Sequence, residues 1–433
     1  MNGESKTVAF HTLGCKLNFA ETSTISRQFE NQGYVKKEFS EKADLYVINT
    51  CSVTENADKE FRKIVNRAKR ASPDAQVAVV GCYAQLKPEL IASASNVDIV
   101  LGMKDKFKIL DHLKFHSSAD ESVIIHDSDL EKLHSCVPSY SLGDRTRSFL
   151  KIQDGCDYPC TYCTIPLARG SSRSIAPEVL IQQAQEISAA GVKEIVLTGV
   201  NVGDYKRPED IDLLYLLERF DQIESLERVR ISSIEPNLLT DEIIDFVAES
   251  RTILPHFHIP LQSGSDTILR SMKRRYDRAH FQNRVARVRD RIPHAGIGID
   301  VIVGFPGETE REFQNTLDFL GATEFSYLHV FTYSERPDTE AIELPGRVDA
   351  AIRKLRNKEL TELSKEKNMV FALSQMNQTR KVLFETCQDG LLSGMTDNYL
   401  KIFVRSARED LVNKIAAVEI TAIQDHKVYG RLD

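Results

Sequence analysis

Three cysteines stand within eight residues, in Gly155-Cys156-Asp157-Tyr158-Pro159-Cys160-Thr161-Tyr162-Cys163, with the spacing C-x₃-C-x₂-C. The run follows residues 148–152, an apolar stretch that reads as a strand. Three thiols on one loop can wrap a single metal centre. Iron–sulfur clusters take thiolate ligands, and three of them leave one iron open to a further ligand. Zinc is the competing reading. It usually takes four protein ligands, and no fourth Cys or His lies inside the loop. The spacing favours the cluster.

Three more cysteines are spread through the first hundred residues. Cys15, Cys51 and Cys82 follow residues 7–14, 44–50 and 76–81, each a short apolar run of strand composition. The gaps of 36 and 31 residues are each about one strand–helix unit. In a parallel sheet covered by helices, the carboxyl ends of neighbouring strands share one edge, where ligands bind. The spacing therefore predicts convergence at that edge, against the alternative of three core cysteines. Cys136 and Cys387 fit neither set and read as free thiols. Disulfides are not expected in a reducing compartment.

The rest of the chain supports this frame. Its 433 residues suggest two to four domains at roughly 100–200 residues each. Strands alternate with helices over the first 115 residues and again over 148–335, where six units predict a partial barrel with its site at the carboxyl strand ends. Residues 116–147 read as a linker. A charged helix covers 345–370, and short strands after 379 predict a small all-β barrel. The expected fold is thus α/β: a Rossmann-like domain over 1–125, a linker over 126–145, a partial (β/α)6 barrel over 146–370 and a small β-barrel over 371–433. No run of 18 apolar residues is present, so no membrane partner is expected. The first residues lack the pattern of a secretory signal, so a cytoplasmic location is expected.

At the cysteines the sequence resembles a known family. The C-x₃-C-x₂-C motif with Tyr162 before its last Cys resembles the radical S-adenosylmethionine superfamily. Lys151-Ile152-Gln153-Asp154-Gly155-Cys156, with Ile165-Pro166-Leu167-Ala168-Arg169-Gly170, resembles its methylthiotransferase branch. Thr12-Leu13-Gly14-Cys15-Lys16-Leu17-Asn18 and Asn49-Thr50-Cys51-Ser52-Val53-Thr54 resemble the subgroup that methylthiolates N6-threonylcarbamoyladenosine in tRNA. Leu17 stands where Val is the commoner residue. The C-terminal module resembles the TRAM domain, an RNA-binding barrel.

The resemblance implies two [4Fe–4S] clusters and S-adenosylmethionine as cofactors. Cys156, Cys160 and Cys163 would hold the cluster that cleaves S-adenosylmethionine. Cys15, Cys51 and Cys82 would hold an auxiliary cluster that carries the transferred sulfur. Tyr162, Gly199, Asn201, Ser232, Ser233, Glu235 and Gln262 are the expected S-adenosylmethionine contacts. Arg274 and Arg275 are placed to meet the substrate's threonyl carboxylate. The expected partners are a tRNA anticodon stem-loop, an electron donor such as flavodoxin or ferredoxin, and a sulfur source. Three alternatives stand beside this reading. Two are methylthiolation of isopentenyladenosine in tRNA and of a ribosomal-protein aspartate. The third is a zinc-stabilised RNA-binding module without catalysis.

The net charge of −7 alone argues against nucleic acid. Two local imbalances argue the other way. Residues 59–70 carry six lysines and arginines against Glu60. Residues 270–291 carry nine against Asp277 and Asp290, which predicts phosphate contact. Tyr399 and Phe403 could stack on bases, although core packing is the stronger expectation for both.

Overall fold

The computed structural model describes residues 5–51, 56–93, 96–113, 123–126, 130, 133, 135–143 and 145–432. Ser52, Val53 and Thr54, quoted above for their motif, and parts of the 126–145 stretch lie outside these residues.

The first domain is a six-stranded parallel sheet. Its order is Val35–Lys37, Thr7–Thr12, Leu45–Thr50, Gln76–Gly81, Ile99–Leu101 and Ile124–His126. Its strands are near-continuous apolar runs because both faces are buried. Ala9, Tyr46, Ile48, Val77 and Val79 pack on one face, and Val8, Leu45, Val47, Ala78 and Val80 on the other. The two edge strands were not anticipated. Each has three residues, too short for a period to register. Ile124–His126 pairs with Ile99–Leu101, so part of the stretch read as linker belongs to this sheet. Ser139–Tyr140, also from that stretch, pairs antiparallel with the first strand of the next domain.

The central domain carries six parallel strands in an open arc. They are Arg147–Lys151, Glu194–Thr198, Arg228–Ile231, His256–Gln262, Gly296–Val303 and Tyr327–Thr332. Single bridges, Val229 to Ile253 and Ser233 to His258, join the two halves of the arc. Helices on its outer side bury one continuous core. Pro177 opens Pro177–Ala189 at its first turn, and the Thr309 side chain caps Glu310–Ala322 by accepting from the Glu312 amide. The charged helix is Ala350–Ser374.

The C-terminal module is a closed five-stranded barrel. Leu391–Thr396 and Lys427–Leu432 complete the three strands anticipated from sequence. The barrel docks on the amino ends of the central strands. Arg228 donates to the Lys381 carbonyl (2.6 Å), Arg230 to the Asp397 carbonyl (3.0 Å), and Asn398 to the His294 carbonyl (2.9 Å). The Tyr399 ring lies 4.5 Å from that of His256, the first residue of its strand.

Candidate active site

Cys15, Cys51 and Cys82 stand just past the carboxyl ends of three neighbouring strands, Thr7–Thr12, Leu45–Thr50 and Gln76–Gly81. Local hydrogen bonds gather the three turns. The buried Asn18 amide donates to the carbonyls of Leu13 and Thr50, both at 3.0 Å. The Thr50 hydroxyl donates to the Val80 carbonyl (2.6 Å) and accepts from the Ala84 amide (3.3 Å). Gly14 has φ +97°, and a Cβ there would collide with the Cys51 side chain. The close approach of the first two turns therefore requires glycine. Cys82 is buried and feels the charge of Cys15. Convergence at the sheet edge is thus a feature of the fold.

The second trio lies on the loop after Arg147–Lys151. The loop is tied down at several points. The Cys156 amide donates to the Gly170 carbonyl (3.0 Å), and the Cys163 amide to the Cys160 carbonyl (3.1 Å). The Thr161 hydroxyl donates to the Ser271 carbonyl (3.0 Å). Burial pushes the thiol of Cys156 up to about 11 and that of Cys163 up to about 12. Both are therefore protonated at neutral pH until a metal centre displaces the protons.

Gly155 turns the chain into this loop at φ +73°, and a Cβ would fall on the Ser171 carbonyl oxygen. Gly155→Ala is expected to cost about 1–3 kcal/mol through this strain and to lower iron bound per chain. Gly321→Ala, where nothing lies within 4 Å of the added carbon, should leave the iron content unchanged.

The donor sets fit clusters and not a single zinc ion. Each trio supplies three thiols, one fewer ligand than a structural zinc site usually takes. Three thiols and no fourth protein ligand suit a larger centre with one open iron.

The predicted S-adenosylmethionine contacts surround the mouth of the arc. Gly199 packs against Gln153, whose Oε1 accepts from the amides of Val200 (3.0 Å) and Asn201 (2.9 Å). Asn201 is 4% exposed, and neither of its side-chain polar atoms has a partner among the described residues. A buried amide left open on both sides fits a polar ligand that supplies the missing bonds. The Tyr162 ring meets Phe305 edge to face. Gln262 sits at a bulge with φ +67°. Ser232 follows its strand half-buried. Ser233 faces deeper into the arc, where its hydroxyl lies 3.2 Å from His258 Nδ1.

Glu235 and Arg274 are neighbours at the cysteine loop. They pair with each other, and Arg274 also donates to the Cys160 sulfur (3.1 Å). Burial raises the Glu235 carboxyl against the opposing pull of Arg274. Arg274 thus meets both this carboxylate and the cysteine loop. Arg275 lies over the Tyr158 ring at 3.9 Å and donates to the Asp157 carbonyl (3.3 Å), bracing the loop from outside.

The second basic stretch is partly paired. Arg284 pairs with Asp241 (2.6 Å), Arg287 with Asp245 (2.9 Å), and Arg291 with Asp245 (2.9 Å) and Glu249. Helix Asp241–Glu249 thus supplies countercharges to helix Arg278–Arg291, while Arg270 and Arg275 before it have no ion-pair partner among the described residues. On helix Asn56–Ala71, Arg62, Lys63 and Arg70 have no ion-pair partner among the described residues. Tyr399 packs against His256 and Arg230 and does not face outward. Phe403 is half-buried on the outside of the barrel. It lies 6.0 Å from Tyr429, with the ammonium groups of Lys401 and Lys427 over its ring.

Two constellations were missed in the sequence. One is His258, Asp300 and His329 on three adjacent strands, with the His258 ring 2.8 Å from Asp300. The other is a buried ionic network between the two domains. Glu21 accepts from Lys106 (2.6 Å), Lys151 (2.7 Å) and Arg169 (3.2 Å), and Asp154 from Lys151 (2.6 Å) and Arg169 (2.8 Å). Arg169 also donates to the Cys82 sulfur (3.2 Å). A charged residue closing the short apolar helix Ile165–Arg169 was the available signal. Cys136 packs against the barrel core, and Cys387 approaches the Ser406 carbonyl at 3.8 Å; both are free thiols.

Comparison with known proteins adds the following. Residues 7–102 match the model of "Uncharacterized protein family UPF0004", and residues 150–320 match that of the "Radical SAM superfamily". The chain is 41% identical to the threonylcarbamoyladenosine tRNA methylthiotransferase MtaB of Bacillus subtilis (strain 168), over 96% of this chain and 93% of that one. It is 36% identical to the Aquifex aeolicus (strain VF5) protein of the same description, over 95% of this chain and 100% of that one. Identity to the tRNA-2-methylthio-N(6)-dimethylallyladenosine synthase of Aliarcobacter butzleri (strain RM4018) is 34%, over 99% of both chains. Among solved structures, the radical S-adenosylmethionine methyltransferase TsrM of Kitasatospora setae shares the fold. The TM-score is 0.58 at 15% identity, over 78% of this chain and 77% of that one. No helix among the described residues is long and apolar enough to cross a membrane.

Proposed function

The chain belongs to the radical S-adenosylmethionine methylthiotransferases, in the branch that acts on threonylcarbamoyladenosine in tRNA. From that membership we propose that it attaches a methylthio group to carbon 2 of N6-threonylcarbamoyladenosine at tRNA position 37. One structural observation supports this reading above the others. Two cysteine trios lie at the ends of two parallel sheets, and Arg169 bridges from the loop of one to a thiol of the other. The greater identity to the threonylcarbamoyladenosine relatives than to the dimethylallyladenosine one supports the choice of base.

Cys156, Cys160 and Cys163 would hold a cluster that supplies an electron for cleavage of S-adenosylmethionine, and Cys15, Cys51 and Cys82 would hold one that supplies the sulfur. The chain's own residues bind, orient and shield. Asn201 offers its open amide to S-adenosylmethionine at the mouth. The Glu235–Arg274 pair braces the cysteine loop through Cys160. Ser233, His258 and Asp300 form a hydrogen-bonded polar wall within the arc. Arg62, Lys63 and Arg70 on one domain, and the Phe403–Tyr429 face with its two lysines on another, offer phosphate and stacking contacts to RNA. The reaction takes place in the cytoplasm, with a small electron donor such as flavodoxin or ferredoxin and a separate sulfur source.

Mass spectrometry of tRNA nucleosides from cells lacking the gene tests this. The expected result is loss of 2-methylthio-N6-threonylcarbamoyladenosine and accumulation of its unthiolated precursor. Loss of the dimethylallyl counterpart alone would move the substrate to the other tRNA branch. Intact tRNA with an unthiolated ribosomal-protein aspartate would move it off RNA.

A further inference from the structure

Arg169 is 1% exposed, yet it is charged and lies six residues beyond Cys163, at the boundary between two domains. A guanidinium has five N–H donors, and leaving any of them unpaired in the interior is costly. Here all five have acceptors. Nη1 donates to Asp154 (2.8 Å) and Glu21 (3.2 Å), and Nη2 to Asn18 (2.6 Å) and Glu21 (3.3 Å). The fifth, on Nε, donates to the Cys82 sulfur at 3.2 Å. The other four bonds hold the plane of the group, and that plane aims Nε at the sulfur. Asn18 takes part twice: its Oδ1 accepts from Arg169, and its Nδ2 gathers the turns that carry Cys15 and Cys51.

The charges point the same way. Glu21 and Asp154 are two buried carboxylates, and Lys106, Lys151 and Arg169 are three buried cations. Arg173 adds a fourth cation, 3.9 Å from Asp154. A surplus of buried positive charge is unfavourable unless an anion lies beside it. The neighbouring groups without a countercharge are thiols: Cys136, which acts on Lys151 and belongs to neither trio, and Cys82 and Cys15, both of which act electrostatically on Arg169. As cluster ligands the latter two are thiolates, and a [4Fe–4S] centre on three thiolates is anionic, more so when reduced.

We propose that Arg169 is a positioning residue for the auxiliary cluster. It holds Cys82 by a hydrogen bond to sulfur, and with Lys106 and Lys151 it supplies the positive charge that raises the cluster's reduction potential. Hydrogen bonds to cluster sulfurs and local net charge are recognised determinants of such potentials. Because Arg169 belongs to the loop segment of the other trio, it also fixes the two cysteine sites relative to each other. The proposal rests on the reading that Cys15, Cys51 and Cys82 hold a cluster.

The test uses the full chain with Cys156, Cys160 and Cys163 replaced by alanine, so that only the auxiliary cluster remains. Iron is counted, and the cluster is titrated with redox mediators and followed by electron paramagnetic resonance. The background protein should hold about four irons per chain. Arg169→Gln and Lys106→Met should each keep that iron and shift the midpoint to more negative potential, Arg169→Gln the further. Arg169→Lys, which keeps the charge, should shift it less than Arg169→Gln. If Arg169→Gln does not fold, Lys106→Met decides the matter, since Lys106 does not touch a cysteine. Unchanged potentials in folded, iron-loaded variants overturn the proposal alone. A background protein without iron overturns the cluster reading and the proposal with it.

Discussion

Alanine at Cys15, Cys51 and Cys82 together is expected to leave about half the iron, to spare cleavage of S-adenosylmethionine and to abolish methylthiolation. The expectation follows from where each trio sits. The three thiols stand on the edge of a six-stranded sheet with its own cores on both faces. The other trio is held by the Gly170, Ser271 and Met272 carbonyls of the barrel domain. Losing three sulfurs from the sheet edge leaves those bonds intact, so the barrel keeps its loop and the about four irons it binds. Cleavage, read as 5′-deoxyadenosine by chromatography, should stay within a few-fold of the parent, while thiolated nucleoside falls below detection. Alanine at Cys156, Cys160 and Cys163 should remove both activities. Iron content unchanged by the first triple replacement would show that these cysteines are not ligands.

The second large effect is on stability. Glu21→Leu is expected to destabilise the protein by about 3–5 kcal/mol, the cost of removing one partner from a buried ionic group. Glu21 is fully buried and accepts from Lys106, Lys151 and Arg169. Its loss strands three cations that have too few carboxylates left. Burial raises the Glu21 carboxyl, but the charges of Arg169, Lys106 and Lys151 overrule it and hold the group well below the usual carboxylate range. A depressed folded value means that the stabilisation is complete above the unfolded value, about 4.3, and fades only as pH falls through the folded one. Glu21 itself therefore adds no pH dependence above pH 5. Burial already holds Lys106 down to about 8, however, and Glu21 is what raises it. The deficit of the variant should thus be largest near pH 5 and shrink toward pH 8 as Lys106 gives up its proton. Urea unfolding followed by tryptic susceptibility of the two domains would measure it. Glu21→Leu combined with Lys106→Met should recover part of the loss, because it removes one stranded cation. A deficit that vanished at pH 7 would contradict the network.

What the sequence revealed and what it hid divide by distance along the chain. The strand-end cysteines were legible because each follows a short apolar run, and Cys15, Cys82 and Cys156 each follow a glycine with positive φ that redirects the backbone. The six strands of the arc were legible for the same reason. The network around Glu21 was not, since Lys151 and Arg169 lie 130 and 148 residues away, and no local pattern pairs them. Part of the basic run at 270–291 is countered by acids on a helix about forty residues earlier. Local charge counting cannot see a partner that folding supplies. The edge strand Ile124–His126 was lost to its brevity.

The placement of the C-terminal barrel has a consequence for how substrate is chosen. The barrel is fastened to the amino ends of the central strands, whereas the cysteine loop and Asn201 lie at their carboxyl ends. The longest of those strands has eight residues, which separates the two ends by roughly 26 Å at about 3.3 Å per residue. A molecule that engages both must be long and stiff enough to span that height. A folded stem with its loop at one end meets the requirement, and a free nucleoside does not. On the proposed reading, RNA held by the barrel at one end of the strands would present its base at the other.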